Sequence, residues 1–308
     1  LSLPLRTLFE SPTPGALAAS ISGVDKKHKY NPLIRLSKTN KGVNIFCPPP
    51  SGGIGTVYKN LADALGDQYC VWGLQSRGVD DSENRFYESI EEAASTYITA
   101  IKQIQSKGPY ILLGWSLGGS IAHEIAVQLE NSGDKVEAIF LIDSVTTYQK
   151  NEKQYASDED RSVEMLTALL SNSESNESIV PENTEALLDL VRDQYEKNGM
   201  VPVGTPKEYI SKVLIHSIKA EAMTIGFKPQ RCTAPIILFK STMAMSESFA
   251  KQFNWNAFTK SDLVVHSINI KHEEMLWRPE SYLEVAKHVK EYCNSNLINS
   301  AAGLKKLK

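Results

Sequence analysis

No stretch of this chain stays apolar for the roughly 18 residues that a membrane-spanning helix requires, and no basic flank with an apolar signal core opens it. Cysteine is scarce. The 4 thiols, Cys47, Cys70, Cys232 and Cys293, lie far apart with no CxxC pair, which excludes a zinc ribbon or a disulfide framework and makes a reducing cytoplasm the default location. An excess of one charge is also missing: Lys+Arg 33 against Asp+Glu 36 leaves a net charge of −3, too weak a field to recruit nucleic acid or a membrane surface. Small neutral or amphipathic substrates fit better. There is no internal repeat and no extended low-complexity tract. The chain begins at Leu1 rather than Met, which points to a piece of a longer polypeptide.

What is present is a core. A chain of 308 residues, 42% hydrophobic, suffices for one large α/β domain and a smaller appendage. Residues 1–22 end in a short helix, and the charged run GVDKKHKYN places a linker at 23–31. Strands and helices then alternate: NIFCPP, the helix YKNLADAL, the strand QYCVWGL, and a helix opened by the capping box Ser89-Ile90-Glu91-Glu92. Gly108-Pro109 stops that helix before the strand YILLG, and the helix SIAHEIAVQLENSG, ending on Gly133, leads to the strand AIFLID. This alternation predicts a mostly parallel sheet with helices on both faces.

The next strand, APIILFK, starts about 90 residues after Asp143, far more than one helical connection needs. Three helical patterns fill the interval, SVEMLTALL, EALLDLVRDQYEKNG and EYISKVLIHSIKAEAM, the last preceded by the cap Thr205-Pro206-Lys207-Glu208. Residues 146–227 therefore read as an inserted helical lid. The strand LVVHSINI, the segment KHEEMLW and a helix from Pro279 close the domain, which spans 32–295, and leave a tail at 296–308.

GWSLGG, directly after YILL, carries the chemistry. Gly114-x-Ser116-x-Gly118 between a strand and a helix matches a nucleophile elbow, in which small flanking residues admit a crowded, strained serine. A serine hydroxyl needs a base, and 6 histidines are available. His28, His123, His216 and His288 sit in the linker or on helices; His266 lies within a strand and is the reserve. His272 alone falls just past a strand's C-terminal end, where open α/β sheets collect functional groups. The chain order Ser, Asp/Glu, His expected of such hydrolases asks for a carboxylate between them. Asp143 ends the strand after the elbow helix, whereas FKSTMAMSES offers only the remote Glu247; the competing role for Asp143 is a cap on SVTTYQ. An oxyanion would take the N–H of Leu117 and one from CPPPSGGIG, where the prolines have none to give, leaving Ser51 first and Gly52 second. No metal ligand set is expected. Trp115 and Trp277 read as core packing, with an acyl channel as the alternative.

The run GPYILLGWSLGGSIAHEIAVQLE, preceded by VWGLQSRG and SIEEAASTYI and followed by VEAIFLIDS, resembles the type I thioesterase domains that end nonribosomal peptide synthetases. The likeness extends from about Asn31 to Cys293. It implies an α/β-hydrolase fold with a helical lid, and its triad maps onto Ser116, Asp143 and His272, with Lys271 standing where the family often has glycine. LPLRTLFESPTPGALAASI resembles the end of a peptidyl carrier domain, so that 1–22 would be its C-terminal remnant, without the serine that bears phosphopantetheine.

The resemblance implies a terminal thioesterase. It would bind no cofactor directly, receive a peptidyl or acyl thioester on the phosphopantetheine of an upstream carrier domain, and release it through an acyl-Ser116 ester by hydrolysis or cyclisation. Its partners would be that carrier domain and the upstream synthetase modules. Alternatives are a stand-alone carboxylester hydrolase or proofreading thioesterase and, from another class, a non-catalytic carrier-docking module.

Overall fold

Strand residues of alternating direction, apolar on both sides, demand cover on both faces of the sheet, and the computed structural model shows how each face is covered. It describes residues 7, 11, 13–22, 30–79, 85–146, 163, 167, 184–197, 201, 203–224, 226–243 and 251–298. Helix α1 (Pro14–Ser22) comes first. A seven-stranded sheet follows, of β1 (Leu33–Arg35), β2 (Val43–Cys47), β3 (Tyr69–Leu74), β4 (Tyr110–Trp115), β5 (Val136–Ile142), β6 (Ile236–Ser241) and β7 (Leu263–Ile268). Their spatial order is β1-β3-β2-β4-β5-β6-β7. All neighbours run parallel except β1, which lies antiparallel to β3. The sheet is thus mostly parallel, as the alternation of elements predicts. The short β1 is an addition that its LIR sequence does not announce.

The other helices are α2 (Lys59–Leu65), entered through a 3₁₀ turn at Gly55–Tyr58, α3 (Ile90–Ile104), α4 (Leu117–Asn131), α5 (Thr184–Lys197), α6 (Lys207–Thr224) and α7 (Pro279–Cys293). Leu112, Ile139, Leu141 and Leu238 point to one face and pack with Ile101, Ile121 and Ile125 of α3 and α4. Their neighbours Ile111, Leu113, Phe140, Ile142, Ile237 and Phe239 point to the other face and meet Leu61, Val285 and Val289 of α2 and α7. The central strands are buried along their length, so their continuous apolar runs reflect cover on both faces.

Helix starts follow local chemistry. The Ser89 side chain accepts the Glu92 N–H at 3.1 Å. The return bond differs from a textual capping box: the Glu92 carboxylate takes the Glu88 N–H at 2.8 Å, one residue earlier than the Ser89 N–H expected. Gly133, at φ 84°, ends α4, its N–H bonded to Glu130 O.

Of the three helical patterns in the long interval, two appear as α5 and α6, which share a small core of Leu187, Val191, Ile210, Leu214 and Ile218. The first, SVEMLTALL, lies outside the described residues apart from Val163 and Thr167, as do most of the linker at 23–31 and of the tail at 296–308.

His123 of α4 is fully buried against Trp255 and Phe258, and its Nε2 bonds to Phe258 O at 3.0 Å. Burial holds its pKa down at about 4, against the opposing pull of that carbonyl. Between the ordinary histidine pKa and about 4, the unfolded chain takes a proton that the folded chain refuses, so stability falls as pH drops through that window. We expect the wild type to lose about 3 kcal/mol more than His123→Gln between pH 7 and pH 4, measured by urea unfolding at each pH. Parallel losses in the two proteins would refute this assignment.

Candidate active site

Ser116 stands at the junction of β4 and α4 with φ 55° and ψ −129°, a conformation that non-glycine residues avoid. Its surroundings leave the backbone little choice. Its N–H bonds to Ile142 O at 3.0 Å and its carbonyl accepts the Ser144 hydroxyl at 2.6 Å. A Cβ on Gly114 would fall on the Gly118 carbonyl, one on Gly118 would meet the Pro48 carbonyl, with Tyr58 Oη at 2.9 Å, and one on Gly119 would fall on the Ser144 hydroxyl. The three glycines of GWSLGG are where strand, helix and two loops meet with no room for side chains. Ser116 itself remains half-exposed.

Asp143 follows β5 directly and also has a positive φ, 45°. Its N–H bonds to Phe239 O at 2.7 Å, and its Oδ1 accepts the Ser241 N–H at 2.8 Å, fixing the carboxylate against the end of β6. Its Oδ2 accepts from Nδ1 of His272 at 2.7 Å. The Thr146 N–H, which a capping Asp143 would take, goes to Gln252 O instead. The Asp143 side chain is 1% exposed and that of His272 is 39% exposed, so a buried carboxylate orients an accessible imidazole.

His272 opens a short 3₁₀ turn after β7, and the Ser241 hydroxyl bonds to Ile270 O in the approach to it. The Trp115 ring lies 5.4 Å from the imidazole at 32°, on the side of Ser116's neighbour. Trp115 is therefore buried beside the site as well as in the core, while Trp277 is half-buried after the turn.

The loop after β2 makes a four-residue turn in which the Gly53 N–H bonds to Pro50 O at 2.9 Å. Ser51 and Gly52 are the two central residues of that turn, and their amides take no part in its closing bond. Ser51 and Leu117 line one cavity of about 20 Å³ together with Ile121, Phe86, His216 and Met223. Leu117 begins α4, so its amide has no intrahelical acceptor and lies at the positive end of the helix dipole. The far side of the cavity belongs to α6. Val213 and His216 press on Gly52 and Gly53, where an added Cβ would come within 2.9 Å of either side chain.

The remaining histidines stand elsewhere. His266 stacks on His288 at 3.8 Å and on Phe239 at 5.3 Å, and His288 bonds to Glu284 and Glu291. Burial first, then the His288 charge, lowers the His266 pKa. His28 and Glu247 lie outside the described residues. Among the described residues no cluster of three or more His, Cys, Asp or Glu could hold a metal.

Sequence reading misses Ser144, Trp255 and Tyr58. Ser144 braces the Ser116 carbonyl, and its own carbonyl takes the Trp255 Nε1–H at 2.7 Å. Tyr58 donates to Pro48 O and accepts from the Trp115 N–H. None belongs to a local pattern; each acts across a long sequence separation.

The family model for thioesterase domains matches residues 43–285. A dimodular nonribosomal peptide synthase of Bacillus subtilis is 26% identical over 289 residues, 93% of this chain and 12% of that protein. Indigoidine synthase of Streptomyces lavendulae is 38% identical over 143 residues, 46% of this chain and 11% of that protein. The chain thus spans a small fraction of these relatives. Among solved structures, a four-domain nonribosomal peptide synthetase superposes with a TM-score of 0.70 at 22% identity, covering 90% of this chain and 21% of that one. The Vlm2 thioesterase domain gives 0.65 at 19%, covering 85% of this chain and 97% of that one. SrfTE, the thioesterase domain that cyclises the lipopeptide antibiotic surfactin, gives 0.54 at 22%, covering 83% and 93%. At such identities the structural likeness shows the fold, which is that of the α/β hydrolases.

Crowding at Gly119 is open to a direct test, because a Cβ there would lie 2.5 Å from Ser144 Cβ and closer still to its hydroxyl. We expect Gly119→Ala to cost about 1–3 kcal/mol of stability in urea. Pairing it with Ser144→Gly should show a coupling of about 1 kcal/mol or more, and simple additivity would rule out this contact as the cause.

Proposed function

The chain belongs to the thioesterase domain family, and from that premise we propose that it releases a carrier-bound peptidyl or acyl thioester through an ester on Ser116. The observation that carries the reading is a half-exposed serine at positive φ, on the strand next to the one that ends at Asp143, whose carboxylate is paired with His272, at the C-terminal edge of a parallel sheet.

With Nδ1–H given to Asp143, Nε2 is the nitrogen left to take the Ser116 proton as its oxygen attacks the thioester carbonyl. Asp143 keeps that tautomer and stabilises the imidazolium. The tetrahedral oxyanion is held by the amides of Leu117 and Ser51, which need no reorganisation because a helix start and a turn already fix them. Collapse expels the pantetheine thiolate, protonated by His272, and leaves acyl-Ser116. A water, or an amine or hydroxyl of the acyl chain itself, then gives its proton to His272 and attacks the ester. Collapse of this second tetrahedral adduct breaks the bond to the Ser116 oxygen, which takes the proton back from His272, and the product is a linear acid in the first case and a ring in the second.

The dimodular nonribosomal peptide synthase of Bacillus subtilis and the four-domain nonribosomal peptide synthetase that this chain resembles support delivery by a carrier domain, and SrfTE is a cyclising example. Residues 1–22 as the end of a carrier domain, and 146–227 as a lid, complete the reading. The Bacillus relative matches 93% of this chain, more than the family model covers.

Incubating wild type and Ser116→Ala with a panel of acyl-pantetheine thioesters, followed by intact-protein mass spectrometry, tests the proposal. We expect an acyl adduct or thiol release in the wild type only, with turnover reduced by roughly 10³-fold or more in Ser116→Ala. Equal turnover in both proteins would remove Ser116 as nucleophile. Failure of the wild type to react either with the panel or with a fluorophosphonate would favour a docking module.

A further inference from the structure

Strands β2 and β4 part company just below the site. They pair only where Ile45 and Phe46 face Ile111 and Leu112, whereas β4 runs on to Trp115 with β5 alone on its other flank. Successive amides alternate sides along a strand. The Ser116 N–H points to β5, where it bonds to Ile142 O, so the Trp115 N–H points into the gap that β2 has left. On the opposite bank of that gap the chain leaves β2 through Pro48, Pro49 and Pro50, whose carbonyls have no strand to accept from. A buried amide and a buried carbonyl face one another with nothing from the sheet to satisfy either.

The Tyr58 phenol fills the gap. It is fully buried, accepts the Trp115 N–H at 2.9 Å and donates to Pro48 O at 2.6 Å. Trp115 immediately precedes Ser116 and stands two residues before Leu117, and Pro48 stands three residues before Ser51. The phenol therefore bonds at once to the strand that carries the nucleophile and one proposed oxyanion amide, and to the loop that carries the other. Gly118 confirms how close the parts are: a Cβ there would come to 2.9 Å from Tyr58 Oη and 3.0 Å from Pro49 O.

We infer that Tyr58 is a positioning residue that sets the separation between the Leu117 and Ser51 amides, and so the width of the oxyanion site, through its paired hydrogen bonds to Trp115 and Pro48. This rests on the reading of Ser116, Leu117 and Ser51 proposed above. Burial, and next the nearby Cys47 thiol, raise the phenol's pKa well above its ordinary value, so it stays protonated and keeps donating throughout the assay range. Its two bonds are then insensitive to pH.

The test compares wild type and Tyr58→Phe, as full chains, with three probes sharing one carbon chain. One is the acyl-pantetheine thioester, one a trifluoromethyl ketone that Ser116 would capture as a hemiketal oxyanion, and one a thioether lacking the carbonyl. We expect kcat and ketone affinity to fall about 30-fold in Tyr58→Phe, with KM and thioether affinity within about 3-fold and the kcat/KM pH midpoint unmoved. Unchanged kcat and ketone affinity, or equal losses for ketone and thioether, would overturn the positioning role. If wild type fails to capture the ketone, the nucleophile reading falls and takes this role with it; capture by wild type and Tyr58→Phe alike removes the role of Tyr58 alone. Should Tyr58→Phe not fold, 4-aminophenylalanine at 58 keeps a donor and an acceptor in place, while 4-methylphenylalanine fills the space with neither. The first should restore at least about a third of kcat and the second should stay about 30-fold low. Equal kcat in the two, or refolding of only the first, would assign Tyr58 to folding and against positioning.

Discussion

Everything at this site depends on a steric constraint at the end of β4: strand, helix and two loops converge so closely that three positions around Ser116 admit no Cβ. The constraint fixes a backbone that would otherwise relax. A residue at φ 55° and ψ −129° stores roughly 1–3 kcal/mol, which persists only where neighbours over-determine the geometry. Here they do so by bonding both sides of the peptide, Ile142 O taking the Ser116 N–H and the Ser144 hydroxyl serving its carbonyl. Asp143 is held in the same way, clamped at φ 45° to the last residues of β6. The strain lies next to the chemistry, and the parallel sheet below supplies the rigidity to sustain it.

That sheet explains why the parts meet at all. With β4, β5, β6 and β7 parallel and adjacent in that order, their C-terminal ends form one edge, from which Ser116, Asp143 and the segment leading to His272 emerge in succession. Alternation along the central strands leaves both faces apolar and both covered, so neither face offers the site and only the edge does. The loop after β2 reaches the same edge and brings Ser51 beside Leu117.

Much of this was legible in sequence because the determinants are local. GWSLGG displays its crowding in six consecutive residues; Asp143 closes an apolar run; His272 follows one. The helices α3 and α4 declare themselves through capping serine, terminal glycine and apolar period. What stayed illegible acts at a distance or is too short to carry a pattern. The LIR strand is three residues long and is defined by its partner β3. Tyr58 reads as an ordinary apolar position of its helix, and its meaning lies in an amide 57 residues away. Ser144 follows Asp143 like any polar residue leaving a strand, and only Gly119 and Trp255, brought by α4 and by a later turn, show why its size and hydroxyl matter.

The packing of α6 extends the same logic from the nucleophile to what can reach it. Gly52 and Gly53 let Val213 and His216 seat directly on the loop that carries Ser51, and Phe86 meets the His216 ring edge-on at 4.8 Å. Between that helix and the wall formed by Ser51 and Leu117 the space is about 20 Å³, enough for about one water. An acyl group lying along this wall must therefore displace α6 or its side chains. The loop side of that contact is two glycines against Val213 and His216, while Ala220 and Met223 of the same helix join the core that packs on α3 and α4. The loop beneath is held independently of that helix, by its own turn and by the Ser76 N–H bonded to Gly53 O.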